Sequence, residues 1–388
     1  MNRHMRIAYF NGTMKPGHDG VTRVLYRLIE SLNRRSVENV FFSPLIPPEG
    51  ERPTLMFEVP SFIFPWYKEY RVAWLPGKSF EDQLSDFKPD ILHINSPCSL
   101  GYAAVRYAQR HTIPVVATYH THFASYAKYY NVKALELFSW SYFRMLYNNC
   151  DRVFVPSQPI LSELSSYGIR NLEFLPHGVD ANTFSPQFRS MDWKHELGLS
   201  GKNVLLSVGR LVWEKDLRTL AETYRILSNR RSDFALVLAG DGPIREELQT
   251  MMPGAVFLGH QSGERLSRAY ASSDILVFPS TTETFGNVVV EAMASGLVPV
   301  CADEGGAHGN VRDGLTGMIT PARDPDRLAS TIEILLDHPG KRAELADQAL
   351  RYARSQSWEV IFDRLLEHYV DIIQGFAKPR ARKRRRAA

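Results

Sequence analysis

The chain has 388 residues, 44% hydrophobic and 23% charged, with three cysteines and a formal net charge of +4. Such a length and composition exclude a disordered, collagen-like or disulfide-stapled protein and predict two domains of roughly 180 residues, each with an ample core. The charge is uneven, because seven Lys or Arg and no acid fall in residues 378–388, which leaves −3 for the rest.

The first residues, Met-Asn-Arg-His-Met-Arg, carry no signal-peptide core, and no run of eighteen apolar residues follows. A chain neither secreted nor membrane-spanning is expected, cytoplasmic or peripheral on the inner face of the cell membrane. Residues 6–10 predict a short buried strand and 11–20 a turn-rich loop. Val21, Val24, Leu25, Leu28, Ile29 and Leu32 then recur at the spacing of one apolar helix stripe. Strand, Gly-containing loop and helix open a parallel α/β layer that takes ligands at the carboxyl end of the strand. No G-x-G-x-x-G is present, which removes the main support for a dinucleotide dehydrogenase. Further strands at 40–45, 91–95, 114–119, 152–156 and 172–175, with helical stretches between several, sustain the α/β alternation.

His120 and His122 stand two apart after the strand at 114–119 and, with His93, suggest a metal. No carboxylate or cysteine nearby completes a ligand set, so no metal is expected. Cys98, Cys150 and Cys301 lack metal-like spacing and read as reduced, small buried residues. Residues 57–75 and 123–147 are unusually aromatic, the second segment interleaved with Lys128, Lys133 and Arg144. Such segments fill a core or an interdomain seam, or else meet a membrane interface or line an amphiphilic groove.

A linker over 180–199 precedes a second set of strands, at 203–211, 234–239, 256–258, 275–278 and 298–302, with helices such as 244–251 and 264–271. This predicts a second Rossmann-like layer. Gly209-Arg210 and, five residues on, Lys215 follow its first strand, where the strand turns into a loop. Gly240-Asp-Gly-Pro243 lacks the Gly-Lys-Ser/Thr of a P-loop and reads as a turn. Glu304-Gly-Gly-Ala-His308 is a further loop, and His308 has no role on sequence alone.

The most informative stretch runs from Pro279 to Gly296: Pro-Ser-Thr-Thr-Glu-Thr-Phe-Gly-Asn-Val-Val-Val-Glu-Ala-Met-Ala-Ser-Gly. An apolar strand breaks at Pro279, passes through hydroxyl residues and re-emerges as a helix from about Val288. The N–H groups of Thr284, Phe285, Gly286 and Asn287 and the positive end of the helix dipole suit phosphate. Glu283 and Glu291 would repel phosphate and instead suit sugar hydroxyls. An anion cradle beside hydroxyl acceptors describes a nucleotide sugar.

This segment resembles the donor-site signature of glycosyltransferase family 4, which are retaining enzymes of the GT-B fold. The resemblance implies two Rossmann-like domains facing across a cleft. Residues 1–185 would form the acceptor side and 186–357 the nucleotide-sugar side. A helix at 358–377 would cross back to the first domain, and a basic disordered tail would occupy 378–388. It further implies Arg210 and Lys215 on the diphosphate, Glu283 on sugar hydroxyls, Glu291 on the ribose and His120 facing the sugar. The Gly20 loop, with Asp19 before it, would approach the donor phosphates. The implied reaction moves a mannosyl- or glucosyl-type hexose from a GDP- or UDP-linked sugar to a hydroxyl acceptor. It retains the α configuration, with no cofactor and no metal. Val-Pro-Ser, Pro-Trp-Tyr and His-Thr-His-Phe resemble a subgroup that glycosylates lipids: bacterial diacylglycerol-glycolipid mannosyltransferases and sulfoquinovosyl-diacylglycerol synthases. A soluble or polysaccharide acceptor is the alternative, and a nucleotide-sugar epimerase or hydrolase of the same fold a more distant one. The tail suits a disordered solubilising end, nucleic acid or anionic lipid head groups. No nucleic-acid module is present in the body, so an anionic membrane surface is the expected partner rather than nucleic acid. Oligomeric state is not legible.

Overall fold

The computed structural model describes residues 5–16, 20–63, 71–74, 77–120 and 133–377. The central strands of its sheets are short, nearly all apolar and buried on both faces, as parallel strands between helical layers must be. The first domain holds β1 (Arg6–Phe10), β2 (Glu38–Ser43), β3 (Leu55–Glu58), β4 (Ser61–Ile63), β5 (Arg71–Ala73), β6 (Ile91–Ile94), β7 (Val115–Thr118), β8 (Arg152–Val155) and β9 (Leu172–Phe174). Seven of these make a parallel sheet in the order β3-β2-β1-β6-β7-β8-β9, while β4 and β5 form a separate antiparallel hairpin. The second domain holds β10 (Asn203–Val208), β11 (Phe234–Ala239), β12 (Val256–Gly259), β13 (Ile275–Phe278), β14 (Val298–Ala302) and β15 (Met318–Thr320), in the parallel order β12-β11-β10-β13-β14-β15. Both sheets are doubly wound. The order reverses beside β1 in one and β10 in the other, and the crevice at the carboxyl ends of those strands is where such sheets bind ligands. The two Rossmann-like domains of a GT-B fold are therefore what the chain adopts.

The last helix, Trp358–Ala377, leaves the second domain and covers the first sheet. Its Ile361, Phe362, Leu365, Tyr369 and Ile372 pack with Ile7, Tyr9, Phe41 and Phe154. Arg35 holds Glu359 and Asp363 of this helix at 2.7 and 2.6 Å. The chain crosses between domains twice at one place. Val179 N donates to Gln356 O at 2.7 Å, and a Cβ on Gly178 would lie 2.6 Å from the Trp358 backbone.

Several local expectations need correction. Residues 180–199, read from sequence as a linker, are packed: Phe184, Trp193 and Leu199 are buried in the second core, with a short helix at Met191–Glu196. β3, β4, β5 and β15 escape the sequence reading because they are three or four residues long and partly exposed. In the second aromatic segment, Trp140, Phe143 and Tyr147 are first-domain core, with Trp140 stacked 3.8 Å from Tyr167. Lys128 lies outside the described residues, as do 64–70 of the first segment.

Candidate active site

In the first domain the backbone ladder runs one residue beyond the ends of β1 and β6. Asn11 N donates to Phe42 O at 3.0 Å and Asn95 N to Phe10 O at 2.8 Å. Tyr119 N likewise donates to Phe154 O at 2.9 Å past β7, fixing where His120 leaves the sheet. Asn95 Nδ2 donates to Asn11 Oδ1 at 2.8 Å, and Asn95 Oδ1 lies 3.1 Å from His120 Nε2. Burial, followed by the neighbouring rings of His177 and His93, holds the His120 pKa well below the ordinary range. His122 and Asp19 lie outside the described residues. Among those described, no three His, Cys, Asp or Glu side chains are grouped to hold a metal.

In the second domain, glycines bring two loops together after β10 and β11. A Cβ on Gly240 would sit 1.8 Å from Gly209 O, and one on Gly242 2.2 Å from Leu211 O. The Gly240–Pro243 turn is thus the floor under the cation loop. Arg210 is exposed on that loop. Lys215 ends a single 3₁₀ turn, Trp213–Lys215, and its Nζ lies 2.6 Å from Glu283 Oε1. Thr282 Oγ1 donates to Glu214 O at 3.2 Å, so a side-chain hydroxyl also ties the two loops together. Lys215 and Glu283, given separate roles by the resemblance, are each other's partners here.

The loop after β13 reaches the helix Asn287–Ala294 through Gly286, whose φ of 77° is in the left-handed region. The 304–308 loop, unassigned from sequence, supports it. Gly306 N donates to Glu283 O at 2.6 Å, and a Cβ on Gly306 would lie 1.9 Å from Thr284 O. Thr284 also joins the domains: its Oγ1 donates to His120 O at 2.8 Å, and its carbonyl accepts from Ser157 Oγ at 2.7 Å. Phe285 is buried in the second core. Gly20 starts the helix Gly20–Arg34, and a Cβ there would be 3.7 Å from Asn287 Nδ2, so two helix mouths face each other across the cleft. Glu291 accepts from Tyr270 OH at 2.9 Å. Burial pushes its carboxyl up, while the Arg23 charge, the Tyr270 hydrogen bond and Arg27 pull the other way.

Sequence reasoning missed three participants. His177, just after β9, is 8% exposed, and its Nδ1 lies 2.9 Å from Asn287 Oδ1 while its ring packs on Phe285. Asn11 and Asn95 are the other two. The available signal was an apolar strand stopped by Asn at the point where strand order reverses, which depends on knowing the sheet order.

Residues 18–183 match the model described as Glycosyltransferase Family 4, and residues 191–353 the one described as Glycosyl transferases group 1. The GDP-mannose-dependent alpha-mannosyltransferase of Corynebacterium glutamicum is 32% identical over 378 residues, spanning 96% of this chain and 90% of that protein. The alpha-monoglucosyldiacylglycerol synthase of Streptococcus pneumoniae is 25% identical over 391 residues, spanning 95% and 86%. In fold, the chain matches sucrose-phosphate synthase from Thermosynechococcus elongatus with a TM-score of 0.78 at 20% identity, over 96% of this chain and 100% of that one. The chain belongs to glycosyltransferase family 4 and is a nucleotide-sugar-dependent hexosyltransferase.

Proposed function

We propose that the chain moves a mannosyl group from GDP-mannose to a hydroxyl of a membrane glycolipid of the diacylglycerol type, with retention of the α configuration. The observation that carries this is the meeting of Lys215, Glu283 and the Thr284–Asn287 helix mouth with Gly20 and His120, where the two sheets point their carboxyl ends at each other. In this reading Arg210, Lys215 and the helix mouth take the diphosphate as it gains charge. Glu283 accepts from sugar hydroxyls, Glu291 from the ribose, and His120 meets the sugar from the first domain. The bond from the anomeric carbon to phosphate oxygen breaks as one to the acceptor oxygen forms on the same face. The acceptor proton passes to the leaving phosphate, so neither a cofactor nor a metal is needed.

Mannose and guanosine are supported by the printed name of the C. glutamicum relative, and a diacylglycerol-type acceptor by that of the S. pneumoniae relative. The β4–β5 hairpin supports the lipid side. Phe62, Ile63 and Trp74 are 37%, 53% and 59% exposed, with Phe62 and Trp74 in ring contact at 4.8 Å. The hairpin hangs from the carboxyl end of β2 through Val59 N to Ser43 O at 2.9 Å, and from the start of the helix Ser99–His111 after β6 through Ser99 Oγ to Ala73 O. It thus lies at the cleft end of the acceptor domain, where exposed aromatics suit an interface. No described helix is long and apolar enough to cross a membrane, so contact would be peripheral, with the basic tail adding attraction to anionic lipid.

The test is nucleoside diphosphate release from a panel of GDP- and UDP-sugars, with and without vesicles containing diacylglycerol glycolipid. Glu283→Ala and Arg210→Ala serve as controls. Release that requires GDP-mannose and lipid, and vanishes in both variants, is expected. Release indifferent to lipid would overturn the acceptor, and turnover unchanged in both variants would overturn the site.

A further inference from the structure

Three neighbouring strands of the first sheet each carry polar residues two apart on one face: Tyr9 and Asn11 from β1, His93 and Asn95 from β6, Thr118 and His120 from β7. The outer three form a directed chain. Asn95 Nδ2 donates to Asn11 Oδ1, so Asn95 presents its carbonyl oxygen to the imidazole. An amide oxygen only accepts, and His120 Nε2 must then carry the hydrogen. The two ends of the chain are left open: His120 Nδ1 and Asn11 Nδ2 are both buried without a hydrogen-bond partner among the described residues. Asn11 and Asn95 are 1% and 7% exposed, and their backbones are pinned by the ladder, so the amides have little freedom to turn.

We infer that Asn95, itself held by Asn11, is a positioning residue that fixes His120 as the Nε2–H tautomer, leaving Nδ1 as a bare hydrogen-bond acceptor for a donor-sugar hydroxyl. The role of His120 toward the sugar rests on the proposed function; its tautomer does not. The titratable groups bearing on His120 are His177, from the loop after β9, and His93, from β6, and both disfavour a charged ring. In this arrangement His120 neither protonates the leaving group nor binds phosphate. It accepts an O–H, and a sugar that lacks the hydroxyl leaves Nδ1 buried and unpaired.

The ligand-free full-length protein, labelled with ¹⁵N in its histidine rings, reads the tautomer directly. The expected spectrum shows His120, identified by its loss in His120→Gln, neutral at pH 7 with the proton on Nε2. A proton on Nδ1 would mean that both amides face the other way and would overturn the inference. Asn95→Asp supplies the functional arm. A carboxylate there accepts from Nε2–H but favours the imidazolium, raising the His120 pKa. Protonation then blocks Nδ1, and the turnover number should fall on the acid side at a higher pH in the variant than in the parent. A loss equal at all pH values would show a merely structural role and overturn the inference. Thermal unfolding of the variant separates either result from misfolding. If no donor sugar turns over in any form, the proposed function fails while the tautomer result stands.

Discussion

The two sheets share a strand order yet end in opposite chemistry. At the carboxyl ends of the second sheet stand charges, Arg210, Lys215 and Glu283, with Lys215 and Glu283 paired at 2.6 Å. At the same ends of the first stand neutral polar groups, Asn11, Asn95 and His120, joined by hydrogen bonds. One fold thus supplies both halves of a transfer site. In the proposed reaction the second domain would meet the group whose charge changes, and the first would meet groups that stay neutral.

If that division is right, removing a charge from the second sheet costs more than removing a neutral group from the first. Lys215→Ala should lower the turnover number by about 10²–10³-fold, the range for one fixed donor to developing negative charge. His120→Ala should cost nearer tenfold, read in the same release assay at saturating donor. Equal losses would break the comparison. Tyr369→Phe tests what lies beneath the neutral half. Tyr369 OH contacts His93 Nδ1 and, at 3.3 Å, Tyr9 OH, so its removal leaves buried polar atoms short of partners. A loss of about 1–3 kcal/mol in unfolding free energy is expected from denaturant titration.

Acid should act on the neutral half as well. Burial holds His177 down to about 4 and His93 to about 3, below the ordinary 6.5. The unfolded chain therefore takes up protons first as pH falls. These rings have no effect on stability above about pH 6.5, and stability drops progressively from there toward pH 4. Melting temperature followed from pH 7.5 to 4.5 checks this, and His177→Gln should make the slope shallower. The smallest expected effect is none: a chelator should leave turnover unchanged, since Arg210 and Lys215 are assigned the work a divalent cation would do.

Most of this comparison was legible in the charged half and little in the neutral half, for a physical reason. Glu283, Glu291, Gly286 and Asn287 fall within nine consecutive residues, so a local motif carries them. Asn11, Asn95, His120 and His177 come from four strand ends spread over 167 residues of chain. Only the sheet order brings them together, and a single Asn after an apolar run is otherwise an unremarked turn residue. Gly306 was similarly opaque, because the Thr284 carbonyl it approaches is twenty-two positions away. The crossover helix was legible only through the family resemblance, and its partners, Tyr9, Phe41 and Phe154, were not.

That helix has a consequence for biosynthesis. The first domain's core contains Ile7 and Tyr9 at one end of the chain and Ile361, Phe362 and Tyr369 at the other. At 5–20 residues per second, roughly 20 to 70 seconds separate the translation of those two groups. Throughout that interval one apolar face of the first sheet is covered only in part, by Leu25, Leu28, Ile29 and Leu32 of the helix Gly20–Arg34, although its other face can close. Of the two domains, the one made first is therefore the one finished later. Truncation near Ser357 would leave an open sheet that invites aggregation, not a folded pair of domains lacking an ornament.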